Sequence, residues 1–444
     1  MFEFGRELKR IFGATGGRLE ADPSLLELLD ASMLASQGKA CDVSAGRVST
    51  RDPFPAWLES AAVWREHARR SGDPATLRKA ASSAQSAVRA ARATRETGRA
   101  ALEQALISLT GVDLFGDAAL LETARDLLDT ARAALGEPVF DARLEAAWAR
   151  LKAREALAQD DYSLALEAAA LFDSAVHRLE RLAADRANDA VRLDAALIRI
   201  ERADLIAGFG VRRRETRLLE AAAGDAEGLL KTLNADYEPL TWAHAAEVLG
   251  TSLVSLGEMQ GRTEHIAEGV SWLAQIGERF TRDHSPLDWA RFQHALGVGL
   301  QSLGEACDND SAFVQAARAF DEALDVLGTA PVAMRCTIAN NRAACLARSA
   351  ERSGDLVALS RAEAAFKAEL ATLDARVDPV AWAVLQVNLA RVYEARAELV
   401  GAFREREAAV YALEEAIDVF CTQGLKSLAE TACDALLRVR DAAR

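Results

Sequence analysis

Pro239-Leu240-Thr241-Trp242-Ala243 is followed at residue 286 by Pro286-Leu287-Asp288-Trp289-Ala290. A degenerate third copy, Pro331-Val332-Ala333-Met334-Arg335, and a fourth, Pro379-Val380-Ala381-Trp382-Ala383, continue the series. The steps are 286 − 239 = 47, 331 − 286 = 45 and 379 − 331 = 48. Self-similarity at a period in the 40s marks a helical solenoid, because a single helical hairpin cannot bury its apolar face and hides it against the next. The expected fold is therefore all-α, a right-handed α-α superhelix of about eight helical hairpins. Arrays of this kind present extended binding surfaces.

The composition agrees. Alanine, the best helix former, makes up about a fifth of the 444 residues. Each of the 9 prolines can be read as the start of a helix or the turn before one, where the missing N–H costs nothing. A formal net charge of −14 argues against bulk nucleic-acid binding. The 6 cysteines form neither a CxxC pair nor a regular framework, and no signal peptide is recognised, so a reducing, cytoplasmic setting is expected. No cofactor is implied.

Four zones are expected: an N-terminal amphipathic segment at 1–20, a leading helix and connector at 21–50, degenerate hairpins at 51–235, and clearer repeats at 236–444. In the degenerate zone the joints are read at Ser71-Gly72-Asp73, Phe115-Gly116-Asp117, Gln159-Asp160-Asp161 and Gly208-Phe209-Gly210.

Further residues recur at fixed register. Leu249-Gly250 and Leu296-Gly297 fall ten residues after their prolines, and Leu256-Gly257-Glu258 and Leu303-Gly304-Glu305 end the same helices. Second helices carry Ala316, Ala319 and Phe320, then Ala362, Ala365 and Phe366. This pattern resembles the tetratricopeptide repeat, in its longer bacterial and kinesin-light-chain-like variants. The resemblance covers residues 235–425 well and 53–235 loosely. It implies a protein-binding scaffold or adaptor that holds a segment of another protein in a groove lined by first helices. By position, the groove residues are His244, Glu247, Arg291, His294, Asn340, Asn388, Arg391 and Glu394. Asn340 and Asn388 match the family's peptide-gripping Asn, and a helix-to-helix hydrogen bond is the other reading of both.

Two other features stand out. Arg89, Arg92, Arg95 and Arg99 would share one face of an unbroken helix, either to hold an anionic partner or as a solvated face. Phe2, Phe4, Leu8, Ile11 and Phe12 form an apolar face near Arg6, Lys9 and Arg10. That face suits a cap on the first hairpin, a docking helix, or a weak peripheral membrane contact through residues 1–17. No HExxH, phosphate loop or recognisable nucleophile arrangement is present, so no catalytic or metal residues are assigned and an enzyme is not expected. Alternatives to the scaffold are a ligand- or peptide-responsive sensor and a membrane-peripheral assembly factor.

Overall fold

The computed structural model describes residues 24–47, 50–186, 189–328, 330, 332–376, 379–401, 403–423 and 425–441. The N-terminal apolar face, Phe2 to Phe12, lies outside them, as does Pro331. Among the described residues there is no β-strand. Among these described residues a short helix α1 (Ser24–Glu27) and helix α2 (Ala31–Ala45) precede eight hairpins. In order these are α3 (Pro53–Ser71) with α4 (Pro74–Ala90), α5 (Thr94–Phe115) with α6 (Ala119–Ala131), α7 (Pro138–Gln159) with α8 (Tyr162–Arg186), and α9 (Asp189–Arg213) with α10 (Thr216–Leu230). They continue with α11 (Pro239–Gln260) and α12 (Thr263–Arg279), α13 (Pro286–Cys307) and α14 (Asp310–Leu327), α15 (Ala333–Ser353) and α16 (Leu356–Leu370), and α17 (Pro379–Val400) and α18 (Phe403–Thr422). Helix α19 (Lys426–Asp441) follows.

One local rule makes all eight hairpins. The residue just after every first helix has a positive φ: Gly72, Gly116, Asp160, Arg214, Gly261, Asp308, Gly354 and Gly401. A left-handed residue at that position satisfies the last helical carbonyls and turns the chain back. Proline starts α3, α4, α7, α11, α13 and α17, where its fixed φ suits the first turn. One expected joint moves. Gly208-Phe209-Gly210 lies inside α9, and the turn falls at Arg214 instead. Gly210 there serves close packing, since a Cβ would sit 3.0 Å from Leu219.

The chain forms two compact units, Met1–Phe292 with Thr329–Ala333, and Gln293–Gly328 with Met334–Arg444. In the first, Ala142, Ala149, Ala168, Phe172, Leu179 and Phe209 belong to one core between α7, α8 and α9. In the second, Ala343, Leu359, Phe366, Leu385 and Leu389 pack α15, α16 and α17 together. Alanine lets the paired helices touch, and the larger side chains fill the space between hairpins. Trp242 is buried, while Trp289 and Trp382 are only half-buried.

Helices α11 and α12 approach each other closely. A Cβ on Gly269 would lie 2.5 Å from the Gly250 carbonyl oxygen. Gly269→Ala should therefore push the two helices apart and cost about 1–3 kcal/mol, the usual range for overpacking. Urea denaturation reads the loss, and an unchanged midpoint would mean that the crossing is not this tight.

Within the first unit, residues far apart in sequence meet. The Glu27 carboxylate is 5% exposed and accepts from the backbone N–H of Leu240 at 2.9 Å and of Thr241 at 3.2 Å, and from the Thr241 hydroxyl at 2.5 Å. Arg70, 1% exposed, donates to the carbonyls of Leu29 at 2.6 Å and Leu26 at 2.7 Å. Arg69 clasps Asp288 through both carboxylate oxygens at 3.0 and 3.1 Å. A Cβ on Gly72 would press on Val332 at 2.8 Å. The unit thus curls until α1 lies against α11 and the first hairpin lies against the start of α13.

Candidate functional site

Polar side chains link each first helix to a neighbouring first helix. In the first unit Arg65 pairs with Glu103 at 2.6 Å, Arg154 with Asp113 at 2.6 Å, and Arg150 with Glu201 at 2.7 Å. Arg291 pairs with Glu247 at 2.5 Å, and His244 meets Asp288 at 3.1 Å. The Arg69–Asp288 pair brings α13 back onto α3. Burial alone would raise the Asp288 carboxyl, but Arg69 and His244 overcome it and hold the group well below the usual range. Burial would likewise lower the Arg291 guanidinium, yet Glu247 keeps it above its ordinary value.

The second unit repeats the arrangement with a longer polar run. His294 Nε2 lies 2.8 Å from Asn341 Nδ2, which donates to it. Asn388 Nδ2 donates to the Asn340 side-chain Oδ1 at 2.7 Å. Burial pushes His294 down to about 4, so the ring is neutral and free to accept. Arg348 reaches Glu305 at 3.3 Å and Arg391 reaches Glu351 at 3.2 Å. Arg438 approaches Glu394 at 3.8 Å.

Every groove residue expected from position therefore sits on a first helix and faces a neighbour. His244, Glu247, Arg291 and His294 are held by Asp288, Arg291, Glu247 and Asn341 respectively. Asn340 and Asn388 hold each other across α15 and α17. The residue types that suit peptide recognition also stitch the stack together.

An open cleft of about 570 Å³ lies beside that run, between α15, α17, α18 and α19. Asn388, Arg391, Glu394 and Glu351 supply its polar wall, and Leu399 and Leu413 its apolar part. A smaller cleft of about 140 Å³, lined by Glu305, Arg348 and Phe366, also touches Asn388 and Arg391. Burial pushes Glu394 above the usual carboxylate range against the pull of Arg438, with Glu398 adding like charge. Three of the expected residues, Asn388, Arg391 and Glu394, thus share one cleft. Glu398, Leu413 and Arg438 complete it, and sequence reasoning missed them. Arg438 stands on α19, past the last recognised repeat, where no repeat register points to it.

The arginine stripe does not assemble as one helical face. Helix α4 stops at Ala90, Ala91 is extended, and α5 begins at Thr94. Arg89 and Arg92 precede the new helix, and Arg95 and Arg99 both bind the Glu137 carboxylate, at 2.8 and 2.5 Å. Those two hydrogen-bonded cations hold Glu137 below its ordinary range, with Arg99 the largest cause. Among the described residues no group of three or more His, Cys, Asp or Glu is placed to hold a metal ion. No helix among them is long and apolar enough to cross a membrane.

No protein-family model matches the chain, and no curated protein matches it. Solved structures do. A signal-transduction ATPase with a tetratricopeptide-repeat sensor from Pyrococcus horikoshii is 12% identical, with 90% of this chain and 55% of that one covered, at a TM-score of 0.48. A tetratricopeptide-repeat protein from Parabacteroides merdae is 14% identical over 75% of this chain and 99% of its own, at 0.39. A Rap protein complexed with competence and sporulation factor is 11% identical over 87% and 98%, at 0.42. Among the described residues the chain is an all-helical solenoid of consecutive hairpins. Its function has to be read from its own residues.

Proposed function

We propose that the protein is an interaction scaffold that holds a segment of a partner protein in the cleft beside Asn388. The observation that carries this reading is the cleft of about 570 Å³, whose lining combines amide and charged groups with Leu399 and Leu413. An extended segment needs both. Its backbone requires a donor or acceptor such as the Asn388 amide, and its apolar side chains require a dry surface. Arg391 and Arg438 add charge-assisted bonds to an acidic side chain of the segment.

A peptide-display selection against the full chain, followed by calorimetry on the selected peptides, tests this. Peptides that use the cleft should bind the Asn340→Ala/Asn388→Ala variant about 1–3 kcal/mol more weakly, as expected when buried polar groups lose their partners. Circular dichroism must first show an unchanged helical fold. Unchanged affinity in a folded double variant, or no selectable peptide, would reject the cleft as the docking site.

A further inference from the structure

The junction that closes the first unit is built from groups that change charge. Segment 26–31 lies between α3 on one side and α11 with the loop before α13 on the other. His284 Nε2 donates to the Glu27 carbonyl at 2.7 Å. The Ala31 N–H donates to the Asp283 carbonyl at 3.3 Å. Arg70 holds the carbonyls of Leu26 and Leu29, and Glu66 bridges Arg70 and Arg69 at 2.6 and 2.9 Å. Ser285 and His244 join Arg69 on Asp288.

We propose that this junction is an acid-sensitive latch, in which His284 must be neutral for segment 26–31 to stay clamped between the first hairpin and α13. The geometry supplies the reason. His284 is half-buried and already donates one ring hydrogen to a backbone carbonyl. The edge of Phe280 packs against it at 5.2 Å between ring centres. The Arg70 guanidinium, 1% exposed, is fixed on the carbonyls of the same segment. A second positive charge here would stand against Arg70 with little water to screen it.

Burial, with Arg70, lowers His284 to about 4, while Asp30, Asp288 and the Glu27 carbonyl oppose this. A histidine depressed from 6.5 to about 4 takes up a proton on release. The clamped form therefore loses stability as pH falls below 6.5 towards 4. Asp288, held well below 3.8, titrates only in stronger acid. Glu27 acts in the opposite direction. Burial raises its carboxyl, so its protonation near and above 4.5 favours the clamped form.

Hydrogen exchange on the full-length protein tests the latch. The amides to follow are Ala31, Leu240 and Thr241, with rates corrected for intrinsic pH dependence. Between pH 7.5 and 5.5 the opening equilibrium should rise about tenfold in the wild type, from linkage at one histidine. His284→Gln keeps a donor for the Glu27 carbonyl but cannot titrate, so its opening should not change over this range. Glu27→Gln removes the opposing carboxyl and should keep the full response. This variant decides the matter if the histidine variant fails to fold. A wild type whose protection ignores pH would overturn the proposal. So would a His284→Gln variant that still opens in acid, or a folded Glu27→Gln variant with no response.

Discussion

Arg70→Ala should cost the first unit about 3–5 kcal/mol, the range for removing one member of a buried ionic network. The side chain is 1% exposed and makes three bonds, to the carbonyls of Leu26 and Leu29 and to Glu66. Its loss strands the buried Leu29 carbonyl oxygen, leaves the Leu26 carbonyl with the Leu29 N–H, and leaves Glu66 with Arg69. Glu66 now sits below the usual carboxylate range, because Arg69 and Arg70 together outweigh the burial that would raise it. Arg70→Met keeps much of the volume but none of the donors, so it should be nearly as damaging. Denaturant melts followed by tryptophan fluorescence measure both. A loss under about 1 kcal/mol for the alanine variant would mean that segment 26–31 is not held by this side chain.

Trp64→Ala should be comparably severe, again about 3–5 kcal/mol. Trp64 is 1% exposed, and a Cβ on Gly38 of α2 would lie only 2.6 Å from its ring. Its Nε1 donates to Asp42 at 3.0 Å, and Lys79 stands over the ring at 4.5 Å. The large cavity left by alanine would loosen α2 from α3 first. Trp64→Phe should lose less, since part of the ring remains and Asp42 still accepts from Ser60. Equal losses for the two variants would assign the effect to the hydrogen bond rather than to the ring volume.

The hairpins were legible in the sequence because they are local. Proline at a helix start and glycine just past its end act within a few residues of chain, and small residues at fixed register mark where helices touch. Arg214 shows the limit. A left-handed arginine carries no turn signal, whereas Gly208 and Gly210 nearby do, so the joint was placed a few residues early. The arginine stripe failed for a related reason. Nothing in Ala91 to Ala93 announces a break, because alanine suits a helix as well as a cap. The junction of the first unit could not be read at all. Glu27 and Thr241 are separated by more than 200 positions, and no periodicity relates them. The residues expected to line a groove stand on first helices, and repeat register could not foresee that each is also tied to a neighbouring helix.

The closed first unit has a consequence for how the protein is made. An ordinary repeat array can fold hairpin by hairpin as it leaves the ribosome, since each unit needs only its neighbour. Here Glu27 waits for Thr241, and Arg69 waits for Asp288. At about 5–20 residues per second, that delay is about 10–40 s. During it, Glu27 stays wet without Thr241, and Arg69 has Glu66 but not yet Asp288.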